Sequence, residues 1–178
     1  MILKNKMYLH KKISFLLVPC ALILVSFLNS CKIYKFNDVS IPPDVKTVKV
    51  NLIENRAQYV NPQLSPKLSD RLRQKIVSQT RLSQTNNENA DWEITAVITN
   101  YLVSTSGISA QQQTTNQLSV SIHVSVAKKK EEKTDEYDVT HSFQFSASKS
   151  LQQAETELSD EMIRTLTDEI FNRLFSNW

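Results

Sequence analysis

The chain has a single glycine, Gly107, in 178 residues. A P-loop, a dinucleotide fingerprint and a nucleophile elbow each need several glycines where backbone meets phosphate or turns tightly. None of the three can be built from this sequence. Histidine is nearly as scarce: His10, His123 and His141 are the whole supply, with no HExxH and no Cys/His spacing that suits a metal. Cysteine is limited to Cys20 and Cys31, too few for a disulfide framework. With these absences the chain is read as a non-enzyme with no catalytic residue, no metal and no resident cofactor.

What is present begins with an address. Lys4, Lys6, Lys11 and Lys12 make a basic start without any acid, and Ile13 to Leu28 is almost wholly apolar, broken by Ser14, Pro19 and Ser26. A basic region, an apolar region and a small residue before a cut mark a secretory signal. The run is short for a membrane span of about 20 apolar residues. Pro19 would disturb such a helix, because it lacks an N–H and clashes with the preceding turn.

Leu28-Asn29-Ser30-Cys31 resembles the lipobox of bacterial lipoproteins: leucine, any residue, a small residue, then an invariant cysteine. The resemblance implies cleavage between Ser30 and Cys31, with a covalent diacylglyceryl group on the Cys31 thiol and an acyl group on the freed amine. Cys20 falls inside the removed segment, so Cys31 is left without a sulfur partner. Two or more acyl chains would anchor the protein firmly, at about 0.8 kcal/mol per buried methylene. Lys32 follows, where an acid often redirects sorting in lipoproteins, and this favours the periplasmic face of the outer membrane.

Removing residues 1–30 takes four of the 21 basic residues and none of the 18 acidic ones, leaving a net charge of −1. The basic balance of the full chain therefore belongs mostly to the signal, and no basic footprint for nucleic acid survives. The remaining 148 residues suffice for one core. The expected organisation is a signal at 1–30, a lipidated segment at 31–43 and a single domain at 44–178.

Hydrophobic periodicity supplies the elements. In "VKTVKVNLI", Val48, Val50 and Leu52 alternate with polar residues, as in a half-buried strand. "NPQLSPKLSDRLRQKIVSQT" reads as a helix, with Ser65 as N-cap, Pro66 in the first position and a stripe of Leu68, Leu72, Ile76 and Val77. "ADWEITAVITNYLV" carries apolar groups of both parities and suits a strand near the middle of a sheet. The uncharged stretch 104–117 reads as a long loop or a frayed hairpin end.

"LSVSIHVSV" sets Leu118, Val120, Ile122, Val124 and Val126 on one face and His123 among serines on the other. After a charged turn at 127–136, "YDVTHSFQFSA" alternates again and puts His141 on the apolar face, as a core or edge histidine. The two strands make an antiparallel hairpin. "ETELSDEMIRTLTDEIFNRLFSNW" reads as a closing helix, with acids near its start and Arg173 near its end, as the macrodipole favours. The sum is an α+β fold: a two-layer sandwich of order β-α-β-β-β-α, with a mainly antiparallel four-stranded sheet and two helices on one face.

Several stretches in order resemble the LptE lipoproteins of lipopolysaccharide transport. They are the Cys-x-x-Tyr-x-Phe-like start (Cys31, Tyr34, Phe36), "IPPDVKT" at 41–47, "NRAQYVNPQLSPKLSDRLRQKI", "AVITNY" and "DEIFNRLFSNW". Lys32 departs from the family, which commonly has glycine there. The resemblance implies an outer-membrane lipoprotein that sits within the LptD β-barrel, helps it fold, plugs it and serves lipopolysaccharide delivery. Lys128, Lys129 and Lys130 are candidates for contact with lipid A phosphates. Glu131 and Glu132 follow them directly, so a solvated charged turn is the favoured reading. The alternative function is a periplasm-facing lipid-binding or structural lipoprotein with no barrel partner.

Overall fold

The structure, a computed structural model, describes residues 41–106 and 115–176. The signal, the cleavage site at Ser30 and Cys31, and the lipidated segment up to Ser40 lie outside the described residues.

The elements run β1 (Thr47–Val50), β2 (Glu54–Asn55), α1 (Leu64–Gln79), β3 (Ser83–Gln84), β4 (Trp92–Ser106), β5 (Thr115–Lys128), β6 (Lys133–Ser146) and α2 (Leu151–Phe175). The fold is α+β, as expected, but the sheet has six strands rather than four. Its order is β3-β1-β4-β5-β6, with β2 also on β4. It is mixed: β1 pairs in parallel with β3 and β4, and β2 in parallel with β4, while β4-β5-β6 is antiparallel. The parallel half follows from α1, which carries the chain back over the sheet after β1 and returns it in the same direction. The two extra strands are two residues each and polar, so no alternation announces them.

β1 and β2 are two pieces of one broken strand. Between Val50, opposite Ile94, and Glu54, opposite Val97, the chain advances one residue more than β4 does. Helix α1 holds the break. The Ile53 N–H donates to Ser69 Oγ at 2.9 Å, Ser65 Oγ donates to the Ile53 carbonyl, and Arg73 donates twice to the Val50 carbonyl. Ser65 is thus not the N-cap. The helix starts one residue before it, after Gln63, and the Ser65 hydroxyl is spent on the strand. Pro66 falls in the first turn rather than at its first position, where a missing N–H is still harmless.

Leu64, Leu68, Leu72 and Ile76 of α1 are buried, whereas Val77 is exposed. On α2, Met162, Leu166, Ile170 and Leu174 are buried at four-residue steps, joined by Phe171 and Phe175. This helix begins at Leu151, earlier than its acidic stretch suggests, because Ser150 and Gln153 form a reciprocal capping box. No acid lies in its first turn. The helices run side by side in one direction, with the start of α1 beside the first half of α2 and Lys75 reaching Asp168 at 2.8 Å. Their buried residues share one core with the inward rows of the sheet.

β4 occupies the middle of the sheet, as expected, but its double-sided apolar character has a different cause. Trp92, Ile94, Ala96 and Ile98 point into the core, and then a bulge at Thr99 shifts the phase so that Tyr101 is the next buried residue. One extra residue exchanges the two faces. The stretch expected as a loop at 104–117 is strand at both ends, through Ser106 and from Thr115. Residues 107–114 lie outside the described residues. The charged turn is also tighter than 127–136: one 3-10 turn at Lys129–Glu131, closed by Glu132 with φ of 49°.

Candidate functional surfaces

The lysine turn is largely committed to the fold. Lys128 lies over the Trp92 ring, 5.0 Å from its centroid, and pairs with Asp135 at 2.8 Å. Lys130 pairs with Asp91 at 3.0 Å and donates to the Asp44 carbonyl. Lys129 is exposed and makes no ion pair among the described residues. Of the three candidate cations, one is free to meet an anionic ligand.

Asp91 is the hub of that end. Its Oδ2 accepts from the Lys46 and Thr47 N–H groups at 2.8 and 2.9 Å and from Thr47 Oγ1 at 3.0 Å. These backbone donors, that of Lys46 foremost, with Lys130 beside them, hold the Asp91 carboxyl well below the usual carboxylate range. Lys128 and Lys133 do the same to Asp135, and the Asn51 amide and Lys49 to Glu93.

Each of the two described histidines meets a carboxylate. His123 stands on the open face with Nδ1 2.8 Å from Asp138, its cross-strand neighbour. His141 lies on the helix-facing side, 2.7 Å from Glu169 of α2 and with its ring 4.6 Å from that of Phe143. Among the described residues no group of three or more His, Cys, Asp or Glu could hold a metal ion. No described helix is long and apolar enough to cross a membrane.

At the other end of the sheet, Glu155 near the start of α2 is held by two phenols. Tyr101 donates to it at 2.8 Å and Tyr59 at 3.3 Å, and the two rings stack at 5.5 Å. Burial, reinforced by Glu155, pushes the Tyr101 phenol well above its ordinary value. Sequence reasoning missed this cluster, because its three residues lie far apart in the chain. A groove of about 790 Å³ along α1 is lined by Arg71, Arg73 and Lys75, of which Arg73 is held by Asp70 and Lys75 by Asp168.

The uncovered face of the antiparallel strands is a field of small polar side chains. Ser119 and Ser142 share a hydrogen bond of 2.8 Å across β5 and β6, and Thr140 donates to Ser121 at 3.0 Å. Residues 94–127, which contain most of β4 and β5, hold no Asp, Glu, Lys or Arg at all. Charge on this face is confined to one end, at Glu93, Glu136 and Asp138, and the rest is hydroxyl and amide surface that can hydrogen-bond to a polar partner.

A sequence profile described as LptE, lipopolysaccharide assembly, matches residues 45–174, almost the whole described domain. The chain belongs to the LptE family. Its role is therefore that of a lipopolysaccharide-assembly protein, in a family whose lipoproteins work at the outer membrane. Comparison with curated proteins gives no significant sequence match.

Among solved structures, a neuraminyllactose-binding hemagglutinin homolog from Helicobacter pylori is similar over 76% of this chain and 88% of its own. Its TM-score is 0.52 at 11% identity, a likeness of fold alone. A minor lipoprotein from Acinetobacter baumannii aligns over 74% of this chain and 94% of its own, with TM-score 0.49 and 13% identity. Protein CT253 from Chlamydia trachomatis aligns over 75% and 99%, with TM-score 0.47 and 13% identity.

Proposed function

We propose that this protein is the lipid-anchored, non-enzymatic partner of an LptD-type outer-membrane β-barrel, which it helps assemble and plugs for lipopolysaccharide transport to the cell surface. The observation that carries the reading is the open face of β4-β5-β6. It is rigid, ladder-bonded and rich in hydroxyls, and no described element covers it. Such a face, with its charges gathered at the Glu93, Glu136 and Asp138 end, suits the wet interior of a barrel, which hydrates hydroxyls and would not wet an apolar face. The anchor is the acylated Cys31 left by cleavage after Ser30. Any direct contact with lipid A phosphates falls to Lys129, because Lys128 and Lys130 are held by Asp135 and Asp91.

Affinity purification from detergent-solubilised envelopes tests the partnership. A large β-barrel is expected to co-purify, and its absence would overturn the reading in favour of a lipoprotein that works alone. Depletion of the protein should trap lipopolysaccharide away from the cell surface. A Cys31→Ala chain should accumulate unprocessed and leave the outer-membrane fraction; normal processing would refute the anchor.

A further inference from the structure

We propose that the outer edge of β4 from Asn100 to Thr105 accepts an extended, uncharged segment of the barrel partner as an added strand. The inference rests on the barrel reading above and names where that partner binds.

The chain itself fills this edge only part of the way. β1 pairs with β4 at Trp92–Ile94, β2 at Val97–Ile98, and the last bond is the Arg56 N–H to the Ile98 carbonyl at 2.9 Å. Beyond the bulge at Thr99, β5 continues to pair on one side as far as Ser106 with Thr115. On the other side, among the described residues, no strand pairs beyond β2, although the Tyr59 ring stacks on that of Tyr101. Six residues of strand, about 20 Å, are left as a row of backbone donors and acceptors.

Sheet edges in folded proteins are normally guarded by shortness, charge, proline or bulges. The β3 edge and the first half of the β6 edge obey that rule. β3 is two residues long, and β6 carries Lys133, Asp135, Glu136 and Asp138 along its first half. The Asn100–Thr105 edge has no charge and no proline, and its bulge lies before it rather than within it. It also exposes Leu102 by 54% and Val103 by 37%, on opposite faces of the strand. A bare edge flanked by exposed apolar side chains is the arrangement that strand addition uses: main-chain bonds supply affinity and alternate side chains supply specificity.

Charge selects the occupant. Around Leu102 the open face presents Asn100, Ser104 and Ser119, none of which could neutralise a Lys, Arg, Asp or Glu brought against it, so the incoming strand is uncharged where it meets Leu102. The open edge is in line with β1 and β2, so the guest continues a row of pairing that the chain has already begun.

The test uses the full-length, lipidated protein in cells, with Leu102 replaced by the photo-crosslinking residue p-benzoylphenylalanine, and a Leu102→Lys/Ser104→Lys double variant. Both positions are exposed, so the melting temperature of the double variant should match that of the wild type. The crosslink is expected to capture the barrel, and the double variant to recover at least tenfold less barrel than the wild type. Equal recovery of barrel by the double variant, at equal melting temperature, overturns the edge while leaving the partnership intact. Failure of the wild type to recover a barrel removes both. Crosslinks to lipopolysaccharide alone, or a dimer of this chain that the double variant dissociates, would assign the edge to a different occupant and overturn the proposal.

Discussion

Asp91 and Thr47 bind each other in both directions. The Asp91 carboxylate accepts from the Thr47 N–H and hydroxyl, and the Thr47 hydroxyl accepts from the Asp91 N–H at 2.9 Å. Since Thr47 opens β1 and Asp91 immediately precedes β4, this pair sets where the two parallel strands begin against each other. Lys130 then ties the β5–β6 turn to the same carboxylate.

Replacing Asp91 should therefore loosen the start of the sheet. Asp91→Ala strands the Lys46 and Thr47 N–H groups and is expected to lose about 1–3 kcal/mol in urea unfolding at pH 7. Its pH dependence has a definite sign. The folded pKa of Asp91 lies below the unfolded value of about 3.9, so its contribution is complete above that value and is lost as pH falls toward the folded value. The stability gap between wild type and Asp91→Asn should shrink as pH falls below about 4. A gap that widens there would contradict this account.

Adjacent residues on α1 should respond very differently. Ile76 is fully buried and Val77 is exposed by 49%. Ile76→Ala is expected to lose about 2–5 kcal/mol, and Val77→Ala to stay within about 0.5 kcal/mol. Denaturant midpoints of the two variants decide the matter directly.

Ser69 offers a sharper probe of the broken strand. It is fully buried, accepts from the Ile53 N–H and donates to the Ser65 carbonyl at 2.7 Å. Ser69→Ala leaves the Ile53 N–H without an acceptor at a buried position, which should destabilise by about 1–3 kcal/mol. Hydrogen exchange should show the Ile53 amide opening faster than those of β5.

The lysine turn separates binding from folding. Lys129→Ala should leave the melting temperature unchanged and weaken association with lipopolysaccharide, measured by co-sedimentation with lipopolysaccharide aggregates. Lys130→Ala should lower the melting temperature by a few degrees, since it frees the Asp91 and Asp44 contacts. The opposite pattern would make Lys130 the ligand contact.

Much of this was legible where one period governs one element. The inward row of β5 and, Val77 apart, the four-residue stripes of α1 and α2 are buried as their spacing predicts, because each packs a single face on the core. Legibility failed where a neighbour decides. Glu54–Asn55 and Ser83–Gln84 are strands only because β4 and β1 offer them backbone partners. The same holds for the site: three adjacent lysines look alike in sequence, and their different fates depend on Trp92, Asp135, Asp91 and Asp44.

The amino-acid sequence by itself determined the class of molecule, because patterning of apolar residues and the near absence of glycine and histidine act locally and need no neighbour. It also carried the family, in the order of its stretches. The tertiary structure alone decided that the sheet is mixed, that a bulge turns Tyr101 toward Glu155, and that Lys129, alone of the three adjacent lysines, makes no ion pair among the described residues. The physical reason is that a hydrogen bond or ion pair between residues distant in the chain exists only once folding has brought both partners within a few ångströms.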